Sequence, residues 1–407
     1  MIVKSISLLG HKDHGKSTLL SSLLMHTGSA TKIRINEAKL YSKKLHKPFE
    51  PAYILDSFAE EREQEMTYDT TRAEIKYKDL AFAFIDVPGH EELIKNMISG
   101  ASYGEMALLL VSAKKDEGIR DQTKRHLFIS RMFGIENLIV AVNKMDLVGY
   151  DEARFKEMRD GLIGFIEKIG FDPKKVHFVP ISAYNGENLV KKSKMMKWYK
   201  GEPLLDRIYE TATRKKSTKL GSLRIVVQGV VDKDEGIIGG RVINGKLTAG
   251  HKISVLPVMV NAKVTEIIVK GKKVRSAVVG ENVAIRLDKP IDYEVRGTVI
   301  AEAEDKPDLT DSIKAKIFIT KKFGDNLQIK FNGIDIKCRS LKVKNVIDVT
   351  TGEKSANTSE EVFNAEDADL RLEKKLPVEE FETTKELGRF VLYNGNEFVG
   401  IGVITKH

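Results

Sequence analysis

The chain contains one cysteine, Cys338, and one tryptophan among its 407 residues. A lone thiol excludes an internal disulfide and any cysteine-built metal centre. Long hydrophobic runs are missing as well. Stretches such as Met106-Ala107-Leu108-Leu109-Leu110-Val111 fall far short of the ~20 residues that span a bilayer, so no membrane partner is expected. The N-terminus has no basic region followed by an apolar region and a small-residue cleavage site. It reads as a first strand, and the expected compartment is the cytoplasm. Low-complexity tracts and convincing internal repeats are absent too. With 42% hydrophobic and 31% charged residues, the composition is that of a folded chain, and the length suggests two or three domains.

Against these absences stands Gly10-His11-Lys12-Asp13-His14-Gly15-Lys16-Ser17, which fits the phosphate-binding pattern G-x-x-x-x-G-K-[ST]. Glycines let the backbone turn so that N–H groups, here those of Gly10 and Asp13 to Thr18, converge on a phosphate chain. Lys16 can reach the β- and γ-phosphates as a point charge, and the Ser17 hydroxyl can hold Mg²⁺. An apolar run, Ile2 to Leu9, leads in, and the helix-like segment from Ser17 to Leu24 leads out. The ligand is a nucleoside triphosphate.

Two further elements select the base. Asp86-Val87-Pro88-Gly89-His90 follows the apolar run Leu80 to Ile85. An Asp at the end of a buried strand can reach Mg²⁺ through water, and Gly89 lets a backbone N–H approach the γ-phosphate. Asn143-Lys144-Met145-Asp146 follows the run Leu138 to Val142. A carboxylate there can accept two N–H bonds from the guanine edge, a pairing adenine cannot reproduce. Asn143 can support that loop and the base, the Lys144 stem can pack on the base plane, and Ser182-Ala183 can offer an N–H to the guanine oxygen. The expected cofactors are GTP or GDP with Mg²⁺.

The remaining pattern divides the chain. Up to about residue 210, apolar strand-like runs alternate with helical segments at Ser17–Met25, Gln122–Phe133, Glu152–Ile169 and Pro203–Thr213, the pattern of a doubly wound α/β sheet. In the third helix Met158, Leu162, Phe165, Ile166 and Ile169 form a core stripe. Thr211 to Lys219 is polar, basic and aperiodic, and reads as a linker. After it come short Val/Ile-rich runs at close spacing, interrupted at Asp305-Lys306-Pro307-Asp308, with Ile334–Arg339 and Leu341–Val349 as separate strands in the second set. The predicted fold is an α/β doubly wound P-loop GTPase domain (residues 1–213) followed by two all-β barrel domains (220–303 and 308–407). Neither barrel has a catalytic constellation, and His251 and His407 are isolated. The net charge of +9 concentrates at Lys191-Lys192-Ser193-Lys194, Lys197, Lys200 and Arg214-Lys215-Lys216, and again at Lys270, Lys272, Lys273 and Arg275. These runs read either as solvated loops or as faces for an anionic partner, RNA or an acidic protein.

These motifs resemble the elongation factor Tu and 1-alpha superfamily of GTPases. The phosphate loop, Asp86-x-Pro88-Gly89-His90 with Lys95-Asn96-Met97, Gly240-Arg241-Val242, and Leu387-Gly388-Arg389-Phe390 are similar to its signatures along the whole chain. Asn188 to Ser193 with Trp198-Tyr199 resembles a segment shared by factor 1-alpha and the GTPase subunit of sulfate adenylyltransferase. Leu45 to Glu50, Ile54 to Asp56, Glu61 to Gln64, Asp69 to Arg72 and Gln122-Thr123 with Arg125-His126 are similar to the latter subunit. The resemblance implies a GTPase coupled to adenylyl sulfate synthesis, partnered by a catalytic ATP-using adenylyltransferase subunit. The alternative is a factor that carries aminoacyl-tRNA to the ribosome. It also implies catalytic roles for His90, which orients the attacking water, for Thr67, which contacts Mg²⁺ and the γ-phosphate, and for Lys16. Two departures bear on hydrolysis. Glu65-Met66-Thr67 replaces the usual Gly-Ile-Thr, and Lys12 stands where an apolar residue usually flanks the catalytic histidine.

Overall fold

A computed structural model describes residues 2–44, 46, 49, 51, 53–54, 71–86, 106–214, 221–232, 235–289, 296–324, 326–355 and 364–406. The chain divides into two compact units, Met1–Lys215 with Val349–Gly352, and Lys216–Asp348 with Glu353–His407.

In the first unit, six strands run β1 (Ile2–Leu9), β2 (Thr71–Tyr77), β3 (Leu80–Asp86), β4 (Met106–Ser112), β5 (Asn137–Asn143) and β6 (His177–Pro180). They lie in the order β2-β3-β1-β4-β5-β6, with β2 antiparallel to β3 and every other pair parallel. Every residue of β4 is buried. A parallel strand covered on both faces needs such a continuous apolar run. The helices are α1 (Lys16–His26), α2 (Lys32–Lys44), α3 (Asp121–Met132), α4 (Glu152–Lys168) and α5 (Leu204–Thr213).

Helix α4 shows how local chemistry and packing agree. The Asp151 carboxylate caps it, accepting from Ala153 N at 3.1 Å and Arg154 N at 3.1 Å, so two of the orphan N–H groups of the first turn are satisfied. Phe155, Met158, Leu162 and Ile166 then bury one face at helical spacing. Phe165 and Ile169, expected in that stripe, are only half-buried, because they fall to its flank. Helix α2 has no counterpart in the sequence reading. Its buried face is only Ala38 and Ser42, whereas Ile33, Leu40 and Tyr41 are exposed, so no apolar period marks it.

The stretch Thr211–Lys219 corrects a linker expectation, since α5 runs through Thr213. The Thr211 and Thr213 hydroxyls donate to the carbonyls of Arg207 and Tyr209, each at 2.8 Å, so polar residues continue the helix. Residues 215–220 lie outside the described residues.

The second unit contains two closed antiparallel barrels. In the first, the ring runs Lys252–Leu256, Val299–Glu302, Arg224–Asp232, Ile237–Asn244, Asn282–Leu287, Val260–Val269 and back to Lys252–Leu256. The second runs Leu327–Phe331, Arg389–Asn394, Glu397–Lys406, Asp308–Ile319, Ala365–Val378, Ile334–Ile347 and back to Leu327–Phe331. Closure removes the unpaired edges that an open sheet would expose. Inward-facing Val, Ile and Leu fill each ring. The strands expected at Ile334–Arg339 and Leu341–Val349 are one 14-residue strand, Ile334–Ile347. Its register shifts at Cys338/Ser340 and Val343/Asn345, so Ser340 sits in a bulge, not a turn. Cys338 is buried and free.

One ion pair ties the barrels together. Arg224, at the start of a strand in the first, donates to Glu379 Oε1 from Nε at 2.8 Å and from Nη2 at 2.6 Å. Its Nη1 also donates to the carbonyls of Leu223 and Asp305, each at 3.0 Å. Both partners are buried, and removing one side strands the other's charge. Arg224→Met is therefore expected to cost about 3–5 kcal/mol in urea unfolding. The double variant Arg224→Met, Glu379→Met should recover most of that loss, because no buried charge is left unpaired.

Candidate functional site

The phosphate-loop residues sit where β1 ends against β4. Gly10 has φ 137, and a Cβ there would lie 2.6 Å from the Leu110 carbonyl oxygen. Lys12–His14 then make one 3-10 turn, and Gly15, at φ 87, reverses the chain into α1. A side chain at Gly15 would meet Asn143 Nδ2 at 2.6 Å. Both glycines are thus required by backbone conformation and by space. The loop brings the N-terminus of α1, with its positive dipole end and first-turn N–H groups that have no partner inside the helix, to the end of the sheet. Lys16 is 9% exposed and donates to the carbonyls of Gly10 at 3.0 Å and His11 at 3.4 Å, which holds its ammonium over the turn. Lys12, Asp13 and Ser17 are exposed and Thr18 is half-buried. The Asp13 carboxylate lies 3.5 Å from His11 Nδ1.

Asn143, at the end of β5, joins this loop to its neighbour. Its Nδ2 donates to the His14 carbonyl at 2.9 Å, and its Oδ1 accepts from Ala183 N at 2.9 Å. It is 2% exposed. Each end of the side-chain amide therefore has one protein partner, and these two bonds support the loops. One N–H of Nδ2 and one lone pair of Oδ1 remain, so support of the base, the other half of the sequence expectation, is compatible with this geometry. At Ser182-Ala183, Ser182 N donates to Glu187 O at 3.2 Å and Ala183 N to Asn143 Oδ1. A ligand oxygen there would have to share a donor already in use.

Lys144 adopts a left-handed conformation (φ 63), which turns the chain out of β5. Its ammonium is gripped by both oxygens of Glu117, at 2.9 and 2.7 Å. Burial alone would raise the Glu117 carboxyl, but hydrogen bonds from Lys144 and Ser112 and the Lys144 charge hold it below its ordinary value. Asp146 is half-buried on the following turn, in the loop where a guanine edge would pair. The sequence reading missed Glu117, which lies in a charged stretch, Lys114 to Gly118, resembling any solvated loop. It also missed how Trp198 acts. The indole Nε1 donates to the Tyr150 carbonyl at 2.9 Å and so braces the Asn143–Asp146 loop from behind.

His14 is fully buried beneath the phosphate loop, with Nδ1 3.0 Å from the Leu110 carbonyl. Desolvation pushes its imidazole down to about 4, opposed by that carbonyl, so it is neutral at physiological pH. It ties the loop to β4 as a structural group.

Thr67, Gly89 and His90 lie outside the described residues, as do Glu65 and Met66. The backbone of Asp86 is placed, opposite Leu8 at the end of β3. Ser17 and Asp86 are oxygen-donor residue types, which fit Mg²⁺, an ion bound by one or two protein oxygens together with phosphates. Among the described residues no cluster of three His, Cys, Asp or Glu could hold a metal by itself. No described helix is long and apolar enough to cross a membrane.

Comparison with known proteins bears on the whole chain. The family described as "Elongation factor Tu GTP binding domain" matches residues 2–214, and "GTP-eEF1A C-terminal domain-like" matches residues 312–405. Similar proteins include "Elongation factor 1-alpha" of Sulfurisphaera tokodaii and of Aeropyrum pernix, each 34% identical over 98% of this chain and 96% of theirs. The protein of the same name from Natronomonas pharaonis is 31% identical over 99% of this chain and 97% of its own.

Two outcomes follow from this geometry. Asn143→Ala removes both arms of the support and should weaken GDP and GTP binding by the same factor, about 10- to 100-fold, in titrations with a fluorescent nucleotide. His14 has a folded-state value below the 6.5 of the unfolded chain, so the unfolded state binds more protons between the two. Its contribution, about 3 kcal/mol, is full above pH 6.5 and is lost as pH falls toward 4. Urea unfolding of the parent and His14→Gln across that window should show the steeper pH slope only in the parent.

Proposed function

The chain belongs to the family of GTPases built on the elongation factor Tu GTP-binding domain, and from that premise we propose that it is an elongation-type GTPase that carries aminoacyl-tRNA to the ribosome. The observation that supports this reading is the extent of the similarity. Relatives named elongation factor 1-alpha align over 98% of the chain, barrels included. A shared GTPase domain alone would say only that GTP is bound.

In this reading Gly10 and Asp13 to Thr18 cradle the phosphates, with Lys16 on the β- and γ-phosphates. Ser17, Thr67 and Asp86 hold Mg²⁺, which supplies charge neutralisation at the phosphates. Gly89 offers its N–H to the γ-phosphate and His90 orients the water. Asp146 reads guanine and Lys144 lines the base site, its position set by Glu117. Asn143 and Ser182-Ala183 keep these loops in register. The three-domain division at 1–213, 220–303 and 308–407 belongs to the same proposal.

The sulfate-activation reading draws no support from these relatives. Most of the segments that suggested it, including Glu61 to Gln64, lie outside the described residues. Of those that are described, Arg125-His126 falls on α3 with His126 buried, which accounts for that residue by packing.

Basal GTP turnover should rise at least tenfold with ribosomes and charged tRNA, and stay flat with ATP, sulfate and an adenylyltransferase subunit. The reverse pattern, followed by phosphate release, would restore sulfate activation in place of elongation.

A further inference from the structure

Between β6 and α5 the chain runs from Ile181 to Pro203 without a helix or extended strand, carrying only the bridge between Ser182 and Glu187. Loops this long inside a compact unit are usually either unstructured or functional. This one is tightly organised. The Asn188 carboxamide donates to Pro180 O at 2.9 Å and accepts from Ser193 N at 2.7 Å. The Ser193 hydroxyl accepts from Met195 N at 3.0 Å and Met196 N at 3.2 Å. Met196 is buried, and Trp198 and Tyr199 anchor the far end on the carbonyls of Tyr150 and Phe178.

On this ordered frame stand five exposed lysines, Lys191, Lys192, Lys194, Lys197 and Lys200. Lys192 pairs with Glu202 at 3.0 Å, and Lys200 donates to the Lys197 carbonyl. Among the described residues, Lys191, Lys194, Lys197 and Lys200 have no carboxylate in ion-pair contact. Lys192 also acts on Asp206, whose carboxylate already holds Lys78 at 2.7 Å, so the adjoining acid is neutralised. Four like charges within ten residues, on a frame whose order is already in place, favour a polyanion, which then binds without the cost of ordering the loop.

We propose that this lysine ledge, Lys191 to Lys200, is a docking surface for the phosphate backbone of RNA. The inference stands on the charge and order of the loop and does not rest on the elongation role. Lysines act as point charges on phosphates, and the ledge has no arginine fork and no free aromatic face for reading bases, since Trp198 and Tyr199 are half-buried and engaged. Recognition is therefore by backbone and independent of sequence. A protein partner would need an apolar interface core, and a membrane would need an amphipathic helix; the ledge offers Met195 as its single exposed apolar side chain.

The test uses the full chain loaded with GDP and a fluorescein-labelled RNA duplex of about 20 base pairs, titrated at several salt concentrations. The variant Lys191→Gln, Lys194→Gln, Lys197→Gln, Lys200→Gln should bind about 10- to 100-fold more weakly near 0.1 M salt, with a salt slope shallower by about 3. The same four positions changed to Arg should keep both affinity and slope. Fluorescent GDP affinity should be equal in all three proteins. RNA binding by the Gln variant within twofold of the parent overturns the proposal. So does tighter binding of the parent to polyglutamate or to phosphatidylserine vesicles than to RNA. Loss of GDP affinity in parallel with RNA affinity overturns it as well if it recurs in the pairs Lys191→Gln, Lys194→Gln and Lys197→Gln, Lys200→Gln, since the loop would then act through the fold.

Discussion

The nucleotide unit depends on one side-chain amide. Asn143 reaches from the end of β5 to the His14 carbonyl on one side and the Ala183 N–H on the other. Three segments far apart in sequence are thereby held at one end of the sheet. Loops of this kind carry backbone polar groups that burial would otherwise leave unpaired, and a buried amide that donates to one and accepts from another satisfies both at once. The fit also explains why Gly15 has no side chain: the space a Cβ would take is occupied by the Asn143 amide.

The surrounding residues extend that logic outward. His14 fastens the phosphate loop to β4 through Leu110, and Glu117 fastens Lys144. Trp198 fixes the turn after Asp146. Their value lies in keeping Lys16, Ser17 and Asp146 from wandering. Preorganisation of this sort lowers the conformational cost that binding would otherwise meet.

Much of the fold was legible in the sequence because its signals are local and periodic. The phosphate loop announces itself by residue type at fixed spacing, and α4 by its apolar stripe. What could not be read depended on contacts between distant segments. Glu117 becomes informative only beside Lys144, and nothing in the sequence shows that Asn143 bridges the His14 carbonyl and the Ala183 N–H. Helix α2 hides because two small residues suffice to seat it. Ser340 looks like a break because a bulge and a turn use the same polar residue types. The leaning toward sulfate activation came from short matches, whereas the relatives similar along the whole chain are named elongation factor 1-alpha.

The Arg224–Glu379 pair has a mechanical meaning beyond its energy. Two separate barrels would have two independent sets of translations and rotations. A guanidinium held by the buried Glu379 carboxylate, by two backbone carbonyls and more distantly by the exposed Asp305 carboxylate restricts them at this contact. Sliding of one barrel over the other at this point would pull a guanidinium away from its carboxylate, so the pair acts as a pin at the contact.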